Sequence, residues 1–452
     1  MRNRSCARPT MPCGRWTGGA WTCSPSDHFW YGKRAKIRIP QPEPRYLPGW
    51  EKLTAPAPER PLKVLVVSHL WPRPDFPHLG IFVVDQVKAL SHWCRVAVAA
   101  PVDRTIRREE ISLREFRRGL VRYRRRTRPH LLEAAGMRPL EVSYVARLPR
   151  GLFALNAARA LAARLRRLDP HQFDVVHAHT VFPDGLACAL WLKDTKVPLV
   201  VTAHGSDVHS MRPGMRRAMP RLLRRVNLLI PVSQALGVEL CALGADPERV
   251  TVIPNGFSAR LFDLQEPPPR DPRKIAYLGY LRGIKRVNLL IEALAHCPAD
   301  VTLEVAGLGP DRPALEAQAA KLGLQDRVRF LGLLTRDRVP GFLAGAGIMA
   351  LVSEREGWPT VIFESLACGT PVLATAVGGV PEALADSSLG RLIPRDITPS
   401  DLGREIQEAL DTPWDYAAIR RHALNFSWEA ISGKILQEYY RVMGLPVPGK
   451  LA

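Results

Sequence analysis

The chain has 452 residues, more than one hydrophobic core usually serves, so two domains are expected. Its 46% hydrophobic and 24% charged residues are those of a globular protein, and the absence of any run of about 18 apolar residues excludes a membrane-spanning helix. A formal charge of +21 at pH 7 points to an anionic partner or surface.

Residues 1–60 are rich in Trp, Pro, Arg, Gly and Ser and carry neither periodicity nor the apolar core of a secretory signal. They read as a disordered extension or a start assigned too far upstream. From residue 62 short apolar runs alternate with helix-length segments, the signature of parallel strands joined by crossover helices. The first series falls at 62–67, 96–100, 173–177, 198–202, 228–231 and 250–254. A proline-rich charged stretch at 265–273 interrupts it. The second series falls at 274–278, 301–306, 328–332, 348–352, 371–375 and 390–393. This predicts an α/β fold of two doubly wound, Rossmann-like domains facing across a cleft, at 61–262 and 274–425, with a linker at 263–273.

Charge is uneven along the chain. Residues 101–130 hold eleven arginines against four acids, and residues 211–225 hold six arginines and no acid. Such a face suits an anionic membrane or a phosphorylated acceptor. Without a recognised binding motif in either run, nucleic acid is not expected as a partner. The eight cysteines form no CxxC pair and no Cys/His cluster at zinc spacing, so they read as reduced thiols of a cytoplasmic protein.

The densest chemistry lies at Glu356 and Glu364, eight positions apart. They follow a strand-like run at 347–353, with Pro359 in the first turn of the next helix. A helix beginning at a strand's carboxyl end offers free N–H groups and a positive dipole to a diphosphate, and two carboxylates beside it suit sugar hydroxyls. Lys285 lies in a loop after the strand at 274–278, at the strand end where open α/β sheets bind their ligands. Gly80 lies in the turn after the first strand, where a backbone without Cβ can approach phosphate. His204 ends the strand at 198–202 and is followed by Asp207. His177 and His179 are expected to point to opposite faces of their strand, so that they would not share a metal, with His177 structural and His179, near Asp184, facing the acceptor. No Asp-x-Asp motif or other carboxylate cluster suits a metal bridging phosphates, and transfer without metal or cofactor is expected.

Taken in order, these features resemble the family 4 glycosyltransferases over roughly residues 62 to 442. They include Gly80 with Asp85-Gln86, His177 to Gly185, Thr202 to Asp207, Ile253 to Gly256, Lys285, the Glu356/Glu364 pair, the run from Gly369 and Gly378 to Glu382. Within the family the chain is most similar to the branch that builds surface polysaccharides such as teichuronic acid. The resemblance implies the GT-B architecture, with acceptor on the first domain, nucleotide on the second, and a terminal helix at 426–452 crossing back to the first.

It also implies a retaining enzyme that moves a hexose from a UDP- or GDP-sugar to a lipid-linked or polysaccharide acceptor at the inner face of a bacterial membrane. The catalytic set is then His204, Lys285 and Glu356. The donor set is Gly80, Arg282, Arg286, Gly357, Trp358, Pro359, Thr360 and Glu364, and the acceptor set is His179, Asp184 and Asp207. Glu364 would bind the ribose, the backbone from Gly357 to Thr360 the phosphates, and Trp358 would shape the sugar pocket. Reaction would go by front-face return, the leaving phosphate taking the acceptor's proton while His204 orients. The family's usual arginine is replaced by Tyr280, for which Arg282 or Arg286 would substitute. Two other classes stay open: a nucleotide-sugar 2-epimerase on the same fold, and a basic binding protein that kept the fold without the chemistry.

Overall fold

The computed structural model describes residues 61–74, 76–104, 131–134, 136–145, 153–211 and 213–448; the segment at 1–60 and the arginine run from 105 to 130 lie outside the described residues. The first lobe is built on β1 (Lys63–Val67), β2 (Arg95–Asp103), β3 (Leu140–Tyr144), β4 (Val175–His179), β5 (Leu199–Ala203) and β6 (Leu228–Pro231). They form a six-stranded sheet in the order β3-β2-β1-β4-β5-β6. The second lobe has β7 (Asp271–Leu278), β8 (Thr302–Ala306), β9 (Val328–Gly332), β10 (Ala346–Leu351), β11 (Val372–Thr375) and β12 (Gly390–Ile393), in the order β12-β11-β10-β7-β8-β9. Every pairing between named strands is parallel.

Both orders reverse direction once, between β1 and β4 and between β7 and β10. In open parallel sheets the crevice outside the strand carboxyl ends at that reversal is where ligands bind. The central strands are buried at every position of β4, β5 and β10, because helices cover both faces. That burial explains their unbroken apolar runs.

Three features differ from the sequence expectation. β3 was not anticipated: it is a half-exposed edge strand, separated from β2 by the arginine-rich segment. The stretch at 250–254 is not a strand. It runs beside β6, with Thr251 and Ile253 donating to the carbonyls of Leu229 and Pro231, and makes only an isolated bridge. The return bond in a parallel ladder would come from the N–H of residue 231, which is proline. The third difference lies in the linker, whose last residues already belong to β7. Arg270 anchors it, donating to the Ala346 carbonyl at 2.5 Å and Thr370 Oγ1 at 2.7 Å, with the Tyr416 ring over its guanidinium at 4.3 Å.

The helix Trp428–Met443 packs on the first lobe. Its apolar face, Trp428, Ile431, Ile435, Leu436 and Tyr439, shares one core cluster with Val64 and Val66 of β1 and with Val83 and Val87 of the helix Ile81–Leu90. Tyr439 hydrogen-bonds His177 Nδ1 at 2.6 Å on the sheet face that this helix covers. Both lobes lie in one compact unit. Among the described residues the cysteines are unpaired, and no helix is long and apolar enough to cross a membrane.

Candidate active site

The carboxyl ends of β1, β4 and β5 carry a packed array of histidines. His177 and His179 both lie on β4, and their rings stack at 4.6 Å with 23° between planes. This corrects the expectation of opposite faces: residues two apart on a strand share a face. His177 is fully buried between Tyr439 and Thr202 Oγ1, the latter at 2.7 Å from Nε2, and burial pushes its imidazole down to about 3.

His179 lies one layer nearer the strand end. Its Nδ1 is 3.1 Å from His204 Nε2, and the two rings stack at 5.4 Å and 11°. Burial, followed by their neighbouring rings, lowers the pKa of both well below the usual histidine value, so they are neutral. Asn255 Nδ2 lies 3.4 Å from His204 Nδ1. With that amide as donor, His204 carries its proton on Nε2 and donates it to His179 Nδ1. His179 then carries its own proton on Nε2, a buried atom without a partner among the described residues.

The loop bearing His204 is clamped by Asp207. Its Oδ1 accepts from the amides of His204 and Gly205, both at 3.0 Å, and its Oδ2 accepts from Val181 at 2.7 Å. Asp207 therefore positions the loop, and its oxygens are spent on backbone. Asp184 is likewise removed from direct contact with an acceptor. It is fully buried, and its Oδ2 accepts from the amide of His69 at 2.9 Å and faces His69 Nδ1 at 2.8 Å. His69 was missed from the sequence. Its place at the end of the first strand, as with His204, was the available signal.

Gly80 is the N-cap of the helix Ile81–Leu90, at φ 66°. A Cβ there would come within 2.1 Å of the Leu70 carbonyl oxygen, so the turn itself demands glycine. One turn on, Phe82 lies against His204, ring centroids 4.7 Å apart.

From the second lobe, Lys285 Nζ meets Glu356 Oε1 at 2.6 Å. Lys285 closes a short 3-10 turn after β7, and Glu356 lies in the loop after β10, so the pair spans the sheet reversal. Arg286 is held in place but keeps Nη2 buried without a partner among the described residues. Its guanidinium is held at 2.7 Å by the carbonyls of Val352 and Arg395. Arg282 is exposed and free of any partner among the described residues.

Glu364, on the helix Thr360–Ala367, is half-buried, and burial pushes its carboxyl up to about 7; Arg336 opposes this and Asp85 adds to it. Arg336 of the second lobe is itself ion-paired with Asp85 of the first. Pro359 is the N-cap of that helix and Thr360 its first residue.

The lobes touch at the site. A Cβ on Gly357 would come within 2.3 Å of the His204 carbonyl oxygen, and one on Gly205 within 2.9 Å of Gly357 Cα. Trp358 does not line a sugar pocket. It is buried, donates from Nε1 to the Asn255 carbonyl at 3.0 Å, and stacks on Phe363 at 5.1 Å. Glu382 reaches across to accept from the amides of Gln234 and Ala235 at 2.7 and 3.0 Å, capping a first-lobe helix. Among the described residues no three His, Cys, Asp or Glu side chains are grouped as a metal would need.

Comparison with known proteins agrees with this architecture. The family model described as Glycosyltransferase Family 4 matches residues 79–260, and that described as Glycosyl transferases group 1 matches 261–425. A D-inositol 3-phosphate glycosyltransferase of Mycobacteroides abscessus is 30% identical over 321 residues, covering 66% of this chain and 72% of the relative. Among solved structures, Anabaena HepE in complex with UDP superposes with a TM-score of 0.63 at 21% identity, over 84% of this chain and 100% of that one. The lipopolysaccharide outer core galactosyltransferase WaaB gives a TM-score of 0.59 at 15% identity, over 84% and 99%.

Proposed function

Because the chain belongs to the family 4 glycosyltransferases and has their two-lobed GT-B fold, we propose that it is a retaining, metal-independent hexosyltransferase using a UDP- or GDP-sugar. The observation that carries this reading is the convergence of the Lys285–Glu356 pair and the His204 loop on the glycine contact between the lobes. Lys285, with Arg282 beside it, neutralises the diphosphate as the glycosidic bond breaks. Glu356 holds the donor sugar, and amides of the 357–360 segment hold phosphate at a helix N-terminus. Glu364 takes the ribose hydroxyls. His204 and His179, both neutral, orient donor sugar and acceptor by hydrogen bonds rather than by charge.

The acceptor reading is a lipid-linked or polysaccharide glycan of the cell surface, met at an anionic membrane through the arginine face of the first lobe. A likeness in fold to a lipopolysaccharide transferase supports it. The inositol phosphate transferase among its relatives makes a phosphorylated polyol the second acceptor to test.

A titration with UDP-, GDP-, ADP- and TDP-sugars by calorimetry, in EDTA and with no added metal, tests the donor site. One sugar nucleotide is expected to bind selectively and to lose affinity in Glu364→Ala. Binding that requires magnesium or manganese would end the metal-independent reading, and no binding across the panel would end the donor assignment. Isotope wash-in at the sugar's C2 would instead identify a nucleotide-sugar 2-epimerase.

A further inference from the structure

The histidines at the strand ends of the first lobe are pushed in opposite directions by their surroundings. His179 and His204 are held neutral. His69 is raised above the usual histidine value: burial alone would lower it, but the charge and hydrogen bond of Asp184, helped by Asp207, outweigh both burial and the opposing charge of Arg73. Two groups of one kind with affinities driven apart is how one site separates a proton acceptor from neutral donors.

Geometry gives the same answer. β1 and β4 are the two strands that flank the reversal of the first sheet, and His69 follows β1 while Asp184 follows β4. Buried Ser68 folds the strand end by bonding both the amide and the carbonyl of Leu70, at 3.1 and 3.2 Å. Asp184 then fixes His69 twice, through its amide and through Nδ1. With Nδ1–H on the carboxylate, the lone pair is on Nε2, which has no partner among the described residues, and the side chain is 34% exposed. Asp184 lies under it with no exposure, so the carboxylate can act only through the ring.

We propose that His69, seated on Asp184, is the base that takes the acceptor's proton. Nε2 removes the hydroxyl proton as the acceptor oxygen bonds to the anomeric carbon on the face the diphosphate leaves, so that the configuration is kept. The bond from that carbon to the diphosphate oxygen breaks, its electron pair leaves with the diphosphate, and the proton stays on Nε2 until water removes it. This rests on the glycosyl-transfer reading above, and it relieves the leaving phosphate of the role of proton acceptor.

Two measurements on the full chain test it. Histidine NMR should show a ring titrating above 6.5 that is absent in His69→Gln and shifted downward in Asp184→Asn. Turnover of the donor selected by the sugar-nucleotide panel, with water as acceptor, should fall as pH drops through that same midpoint. His69→Gln should lose roughly 100-fold in kcat while donor affinity changes by less than about twofold, and added imidazole should restore part of the turnover of His69→Gly.

His69→Gln that keeps both its rate and its acid limb, with donor still binding, overturns the base role alone. A His69 ring that titrates below 6.5 does the same. Failure of the wild type to bind any sugar nucleotide overturns the transferase reading and the base with it. Should Asp184→Asn fail to fold, His69→Gln still decides, since that residue is partly exposed and its loss uncovers no deeply buried partner other than Asp184.

Discussion

Lys285 and Glu356, 71 positions apart in the chain, meet at 2.6 Å in a pocket where the lysine is 25% and the glutamate 9% exposed. Each neutralises the other in the unliganded protein. On the proposed donor assignment, an arriving diphosphate competes with Glu356 for the ammonium, and the glutamate becomes free for sugar hydroxyls only when it succeeds. The pair would then couple phosphate binding to sugar binding.

Changing the two partners should accordingly have unlike effects. Glu356→Gln releases the ammonium, so UDP alone is expected to bind more tightly by calorimetry while turnover falls roughly 100-fold or more. Lys285→Ala should weaken UDP and turnover together. It also leaves a nearly buried carboxylate unpaired, at a cost of about 3 kcal/mol in urea unfolding. Equal effects of both substitutions on UDP affinity would dissolve the coupling.

Glu364 offers a pH test with a defined sign. Its folded value of about 7 lies above the ordinary 4.5, so the folded protein binds the extra proton. The stability this group contributes is complete below 4.5 and is lost as pH rises through about 7. Glu364→Gln removes that slope, and the variant should gain on the wild type across this window by on the order of 2 kcal/mol, reduced for the residue's partial exposure. If ribose hydroxyls donate to the ionised carboxylate, donor affinity rises over the same range. A wild-type melting temperature that parallels the variant's at every pH would refute the assignment.

The sheets were legible because their central strands are buried on both faces and read as continuous apolar runs. What escaped were places where one residue's chemistry overrules the run. Pro231 denies the segment at 250–254 its ladder, and β3 is too exposed to read as an apolar run. Motif spacing located Glu356, Lys285 and His204. It could not show that Arg286 bonds two carbonyls, that Trp358 joins the lobes, or that Asp184 bonds His69, because those depend on partners up to 115 positions away.

The Trp358–Asn255 bond and the Gly205–Gly357 contact define how closely the lobes approach. Gly357→Ala puts a methyl group against the His204 carbonyl and must hold the lobes apart or displace that loop. Turnover should fall by at least about tenfold with little change in secondary structure, since a misplacement near 1 Å is costly for reacting groups. Trp358→Phe keeps most of the packing on Phe363 and loses the bond to Asn255, so it should reduce turnover less. Small-angle scattering with and without donor would read the separation. An alanine variant with wild-type turnover would show that the contact is incidental.

The arginine-rich run within 105–130 and Arg212 lie outside the described residues, but the first lobe shows a second basic surface. The helices Phe153–Leu165 and Pro213–Leu223 pack together. Arg159 and Arg164 on the first, Arg166 and Arg167 just beyond it, and Arg216, Arg217, Arg221 and Arg224 on and after the second are exposed and have no acidic partner among the described residues. Exposed arginines without acidic partners gain nothing from the fold, whereas near an anionic bilayer each contributes about 1 kcal/mol. Glutamine at Arg216, Arg217, Arg221 and Arg224 together should weaken binding to vesicles of mixed neutral and anionic lipid by roughly 100-fold, and added salt should do the same to the wild type. Turnover on a water-soluble acceptor should not change, which separates docking from catalysis. Vesicle binding that survives the four substitutions would move the contact elsewhere, and salt-sensitive binding to RNA in place of vesicles would replace the membrane by nucleic acid.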